Sequence, residues 1–145
     1  MYAELHCMSN FSFLRGASQP GELVGRAKEL GYAALAITDE CSMAGAVRAY
    51  EAARDCGFKL IVGAEFKTGD DLQVVLLAPT QKAYAQICAL ITLTRRRSEK
   101  GTYRLMRADL EFGLNECLAL WVPSTRPALS HALWMRERSA DRCWL

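Results

Sequence analysis

The stretch Gly31-Tyr-Ala-Ala-Leu-Ala-Ile-Thr-Asp-Glu40 decides the fold. A glycine that can stop a helix precedes an unbroken apolar run, Ala33 to Ile37, which ends in Thr38 and two acids. A strand with one wet face alternates apolar and polar residues, whereas a strand covered on both faces does not. The run therefore predicts a buried strand of a mostly parallel sheet with helices outside. Upstream, Leu23, Ala27 and Leu30 recur at helical spacing, with Ser18 as N-cap, Pro20 near the start and Gly31 as the stop. Before them, Tyr2 to Met8 reads as a first strand running into a loop at Ser9-Asn10.

Downstream the alternation continues. Ala46, Val47, Tyr50 and Ala53 predict a helix closed by Gly57, and Leu60 to Gly63 a second buried strand. Leu72 to Ala78, entered through Gly69-Asp70-Asp71, predicts a third. A longer helix after Pro79-Thr80 carries Tyr84, Ile87, Cys88 and Ile91 on its apolar face and ends in Arg95-Arg96-Arg97, charges that suit a helix C-terminus. Cys117 to Val122 reads as a strand, and Pro127 opens a last helix through Leu129, Leu133 and Arg136. The final Arg142-Cys143-Trp144-Leu145 turns apolar where a next strand would begin, so residues 1–145 read as part of a domain whose chain ends mid-domain.

Composition bounds the function classes. The chain has 145 residues, about one domain's worth, and its 51% hydrophobic content is too high for a disordered segment. With 18 basic against 16 acidic residues the net charge is +2, which implies no polyanionic partner for the chain as a whole. No apolar window approaches the roughly 18 residues of a membrane span, and the opening residues lack a secretory pattern, so no membrane partner is expected. The six cysteines are never closer than 15 positions apart and form no C-x-x-C, which speaks against a zinc ribbon and for reduced thiols in a cytoplasmic protein.

In parallel α/β folds functional side chains gather where loops leave the C-terminal ends of strands. Those ends carry Glu4, His6 and Met8 at alternate positions, then Asp39 and Glu40, then Glu65. An oxygen-rich set with a single imidazole favours Mg or Mn over a tetrahedral zinc site. Each member also has a plain structural reading: His6 as a hydrogen-bonded strand residue, Asp39 as a cap for the next helix, Glu65 as a side chain leaving the core. Arg95, Arg96 and Arg97, with Lys100, Arg104 and Arg107 around Tyr103, read either as a contact for a nucleic-acid backbone or as a solvated helix end.

At these same residues a resemblance appears. Glu4-Leu-His-Cys-Met-Ser-Asn-Phe-Ser-Phe-Leu-Arg-Gly-Ala-Ser18 resembles the opening motif of the PHP (polymerase and histidinol phosphatase) domain. Ala36-Ile-Thr-Asp-Glu-Cys-Ser-Met-Ala-Gly45 is similar to its second motif, and Leu60-Ile-Val-Gly-Ala-Glu-Phe66 to its third. Ser9 to Leu14 and Asp39-Glu40-Cys41 resemble the error-prone, damage-induced branch of bacterial DNA polymerase III alpha subunits.

The resemblance implies the first half of a distorted seven-stranded β/α barrel. It implies a parent chain that is a nucleotidyltransferase, a DNA-directed polymerase acting in replication and repair past DNA damage. Its magnesium would sit in a palm domain absent here. Partners implied are the rest of that chain, DNA, damage-response accessory proteins and the sliding clamp, in a bacterial cytoplasm. His6, Asp39 and Glu65 match the family's metal-binding pattern, with Glu4 and Glu40 as substitutes. Met8 stands where the family carries an imidazole, and Glu40 where it usually carries His. A thioether is a poor ligand for a hard divalent ion, so the resemblance implies a degenerate centre in a structural module. The alternatives are a residual phosphoesterase or 3′–5′ exonuclease using Mn, Zn or Mg, and a small nucleic-acid-binding module.

Overall fold

The computed structural model describes residues 2–111, 113–139 and 141–145. They form an α/β chain of six strands and four helices, divided by contact density into two compact units that meet between Ala64 and Glu65.

The first unit holds β1 (Ala3–Cys7), α1 (Pro20–Glu29), β2 (Ala34–Ile37), α2 (Ala46–Cys56) and the start of β3 (Leu60–Lys67). The strand order is β1-β2-β3 and both pairings are parallel, with Ile37 of β2 set between Cys7 and Val62. All four residues of β2 are buried, as an unbroken apolar run between two parallel neighbours requires.

Helix α1 is N-capped by Gln19 rather than Ser18. Glu22 reaches back so that its carboxylate accepts the Gln19 backbone N–H at 2.8 Å, while the Ser18 carbonyl is taken by the N–H of Asn10. The apolar faces are also rotated from those read in the sequence. Val24 and Ala27 of α1 and Ala49 and Ala53 of α2 form the core with Leu35 and Ile37, while Leu30, Val47 and Tyr50 face solvent. Alanines at the α1–α2 contact let the helices approach closely, so the larger apolar residues of α2 are left outside. Gly57 ends α2 with φ +67°, a left-handed cap that glycine adopts without a Cβ penalty.

The second unit holds the end of β3, then β4 (Gln73–Leu77), α3 (Gln81–Arg96), a 3-10 turn at Arg107–Leu110, β5 (Leu118–Val122), α4 (Leu129–Ser139) and β6 (Cys143–Trp144). Asp71 turns the chain between β3 and β4 with φ +66°, and the Thr68 N–H bonds the Leu72 carbonyl across the turn. β5 pairs with β4 antiparallel and with β6 parallel. A mostly parallel sheet leaves room for this antiparallel pairing, which the sequence did not single out because an apolar run carries no sign of strand direction. Thr80 caps α3, its hydroxyl accepting the Ala83 N–H at 3.1 Å. Phe66, Leu72, Val75 and Ile87 are fully buried. Leu129 and Leu133 of α4 are exposed, Met135 being the residue that helix buries. No helix among the described residues is long and apolar enough to cross a membrane.

Candidate functional site

The chain leaves β2 through Thr38, whose N–H and hydroxyl both donate to the Cys7 carbonyl of β1, at 2.8 and 3.2 Å. That clamp sets the next residue, Asp39, which is 1% exposed. Its carboxylate is enclosed by the loop that follows β1. Oδ1 accepts the Ser9 backbone N–H at 2.8 Å and the Ser12 hydroxyl at 2.7 Å, and Oδ2 accepts the Ser9 hydroxyl at 2.7 Å. The Ser12 oxygen in turn accepts the Glu40 backbone N–H at 2.9 Å, and Ser9 Oγ accepts that of Phe11 at 3.2 Å. Three short donors meet the hydrogen-bonding needs of this buried carboxyl group.

Two glycines make room for this arrangement. A Cβ on Gly45 would lie 2.7 Å from Asp39 Oδ2 and 3.0 Å from Ser9 Oγ, and one on Gly16 would lie 1.9 Å from the Ser9 carbonyl oxygen. Asp39 does not cap the following helix, since α2 starts at Ala46 with Gly45 as its N-cap.

The other residues singled out in the sequence are also engaged. Glu4 spends both carboxylate oxygens locally, accepting the Tyr2 hydroxyl at 2.8 Å and the His6 backbone N–H at 3.0 Å. His6 is half-buried. The pairing of β1 with β2 shifts register between Glu4 and Cys7, and Met8 lies one residue past the strand, so the simple alternation of Glu4, His6 and Met8 is broken. Glu40 receives the Arg15 guanidinium at 2.8 Å in a partly exposed ion pair. In the second unit Glu65 is fully buried and accepts the Gln73 side-chain amide at 2.7 Å.

A divalent metal fits these residues poorly. The Asp39 oxygens already face three donors, Glu4 is held by two more, and Met8 offers a soft thioether to a hard cation. Among the described residues no three His, Cys, Asp or Glu side chains lie close enough together to hold an ion. Reading the sequence by metal-ligand chemistry missed Ser9, Ser12, Gly16 and Gly45. The Ser-x-x-Ser spacing just after a strand was the available signal, since it turns two hydroxyls toward one point.

Burial also governs the thiols. Desolvation raises the Cys7 thiol to about 11, with Glu4 and Asp39 adding to the rise. In the second unit burial raises Cys117 to about 11 against the pull of Arg142, Glu116 reinforcing the rise. Thiolate is the form that reacts, so iodoacetamide at pH 8.5 should label Cys7 and Cys117 with a marked lag in the folded chain. The lag should vanish when the chain is unfolded in urea. Because the folded thiols titrate higher than unfolded ones, their contribution to stability is complete below pH 9 and is lost as pH climbs toward 11. Labelling of Cys7 and Cys117 at the same rate in the folded and the unfolded chain, read by peptide mass spectrometry, would contradict this.

The basic segment is used partly within the second unit. Arg97 donates to Asp109 at 2.8 Å, and Arg95 lies over the Tyr103 ring at 5.4 Å. Arg107 pairs with Asp70 at 2.6 Å and lies over the Trp134 ring at 5.5 Å. The Thr68 hydroxyl, then Arg107, hold the Asp70 carboxyl below its ordinary range against some desolvation.

Known proteins resemble this chain over most of its length. The PHP domain model matches residues 4–121. The error-prone DNA polymerase of Methylococcus capsulatus is 53% identical over 146 aligned residues, taking in 100% of this chain and 14% of that protein. That of Dechloromonas aromatica is 54% identical over 149, covering 99% and 14%, and that of Alkalilimnicola ehrlichii 55% over 142, covering 97% and 14%. The chain thus spans 14% of the length of these curated relatives. Among solved structures, a Bifidobacterium adolescentis protein provisionally named a metal-dependent phosphoesterase superposes with TM-score 0.55 and 28% identity over 65% of this chain and 33% of its own. An amidohydrolase from Chromobacterium violaceum, solved with bound sulfate and no metal, gives 0.55 and 28% over 66% and 34%.

Proposed function

The chain belongs to the PHP domain family, and from that premise we propose that it serves as the PHP region of an error-prone DNA polymerase of the DNA polymerase III alpha type, as a structural module with a degenerate metal centre. In this reading the nucleotidyl transfer, its magnesium and the synthesis past DNA damage belong to parts of the parent outside these residues. The setting is the bacterial cytoplasm, with DNA, accessory proteins and the sliding clamp reached through the parent chain.

The observation that carries the structural role is the Asp39 carboxylate. Hydrolysis of a phosphodiester by metal ions needs carboxylate oxygens that face the ion, so that the ion can clamp attacking and leaving oxygens. The Asp39 oxygens instead accept Ser9 and Ser12 and tie the loop after β1 to the end of β2. A phosphoesterase reading draws on the name of one structural neighbour.

The test is hydrolysis of bis(p-nitrophenyl) phosphate by the purified chain with Mn, Zn or Mg added, together with metal analysis after dialysis. Expected are no turnover above buffer and no stoichiometric metal. Metal-stimulated turnover lost in both His6→Ala and Asp39→Asn, in variants that remain folded, would sink the structural reading.

A further inference from the structure

The second unit carries a segment whose charge differs from that of the rest of the molecule. Between Arg95 and Arg107 stand six basic residues and one acid, Glu99, whereas the whole chain is only +2, so the remainder is net acidic. Three of the six are used within the unit: Arg97 pairs with Asp109, Arg107 with Asp70, and Arg95 lies over Tyr103. Arg96, Lys100 and Arg104 are exposed and form no ion pair among the described residues. Beside them a cleft of about 310 Å³ runs between the turn at residues 68–70 and the segment 104–107. Arg104, Arg107 and Asp70 line it, and Met106, 45% exposed, forms an apolar lip.

The chemistry of the cleft selects among anionic partners. An exposed methionine beside arginines is the composition of a protein interface, where both residue types are enriched. The Arg107 Nε is buried without a hydrogen-bond partner among the described residues, while the Nη2 of the same side chain holds Asp70 at 2.6 Å. A buried guanidinium N–H left unmatched is uncommon, and it marks a place for one further acceptor. The aromatic rings beside the segment already carry a guanidinium on one face, Tyr103 from Arg95 at 5.4 Å and Trp134 from Arg107 at 5.5 Å. A nucleic-acid strand held on such a surface would draw on open aromatic faces for its bases, and its repeated phosphates would meet the Asp70 carboxylate in the cleft wall. A peptide can set its acids against the exposed cations and an apolar side chain on Met106, leaving the Asp70–Arg107 pair undisturbed.

We propose that this cleft, with Arg96, Lys100 and Arg104 at its rim, docks an acidic segment of a partner protein in which an apolar residue is flanked by Asp or Glu. The apolar residue packs on Met106, and the flanking carboxylates receive the rim cations. The guanidinium of Arg104 presents its donors in a fork that matches a carboxylate. A volume of about 310 Å³ stands at the bottom of the roughly 300–1,000 Å³ that encloses a small molecule, and it suits one or two side chains of a longer chain. The assignment goes beyond the structural-module reading and does not depend on it, since it uses only the charge, cleft and lip of the second unit.

The measurement is fluorescence anisotropy of a fluorescein-labelled synthetic peptide, one leucine between two runs of alternating Asp and Glu, with the full 145-residue chain. Saturable binding is expected, weakening severalfold between 50 and 200 mM salt as the exposed charges are screened. The variant Arg96→Ala/Lys100→Ala/Arg104→Ala removes three exposed charge pairs and should bind about tenfold more weakly. A peptide with serine in place of the leucine should bind at least about threefold more weakly, having lost its apolar contact with Met106. A charge-matched control in the first unit, Arg26→Ala/Lys28→Ala/Arg54→Ala, should bind as the parent does, and circular dichroism should show both variants folded. Absence of saturable binding, equal binding by the Arg96 variant, or indifference to the leucine would each overturn the proposal. So would an oligothymidylate of equal charge that binds as tightly as the peptide, which would make the surface a contact for any polyanion. Phosphodiester hydrolysis in the earlier assay would overturn the structural-module reading alone, so the two failures are separable.

Discussion

Asp39→Ala is expected to unfold the first unit or bring it close to unfolding. The substitution strands three donors that now end on one carboxylate: the Ser9 N–H, the Ser9 hydroxyl and the Ser12 hydroxyl. A buried donor left without an acceptor costs about 1–3 kcal/mol, and hydroxyl rotation or an entering water recovers part of that. A net loss of about 3–4 kcal/mol follows, a large share of the roughly 5–15 kcal/mol that holds a domain folded. For a chain of this size the melting temperature should drop by about 10 °C or more. Asp39→Asn keeps one acceptor oxygen and the shape, so its loss should be roughly half as large. Thermal melts with and without a chelator separate this account from metal binding. If hydrogen bonds hold the loop, EDTA leaves the parent's melting temperature unchanged; a chelator-dependent fall comparable to that of Asp39→Ala would contradict it.

A second large effect is expected at Gly16. The added methyl of Gly16→Ala would sit 1.9 Å from the Ser9 carbonyl oxygen and 2.4 Å from its carbon. Both are backbone atoms, so no rotamer change relieves the contact. The chain around them is bound on both sides, Gly16 N–H to the Ser12 carbonyl and Asn10 N–H to the Ser18 carbonyl, each at 2.9 Å. Forced overpacking typically costs about 1–3 kcal/mol, and a backbone-to-backbone clash belongs at or above the top of that range. The displaced Ser9 would also let go of Asp39, joining this effect to the first. Gly25→Ala supplies the contrast. Nothing lies within 4 Å of its would-be Cβ in the middle of α1, so that variant should gain about 0.5–1 kcal/mol. Urea titrations of the two variants should therefore move in opposite directions. A neutral Gly16→Ala would mean that the loop after β1 is not packed as described.

The sequence by itself determined the element order and the buried strand at its centre, because both are local properties. The unbroken run Ala33 to Ile37, the glycines after α1 and α2, and the Thr80 start of α3 each act within a few residues of themselves. It also placed Asp39 and Glu65 near strand ends in an α/β fold, but their burial emerged only in the structure, Glu65 having read equally as a side chain leaving the core. Only the tertiary structure decided which faces are wet. Val47 and Tyr50 have helical spacing yet lie outside, because Ala49 and Ala53 already fill the space against α1. Strand direction was decided there too, as in β5 against β4. Above all, the role of Asp39 was decided there. Its partners Ser9 and Ser12 are 30 and 27 residues away in sequence, and an isolated Thr-Asp-Glu reads equally as ligand, cap or anchor. Hydrophobic burial is read from period and composition, whereas a buried carboxylate takes its meaning from whichever donors the completed fold brings against it.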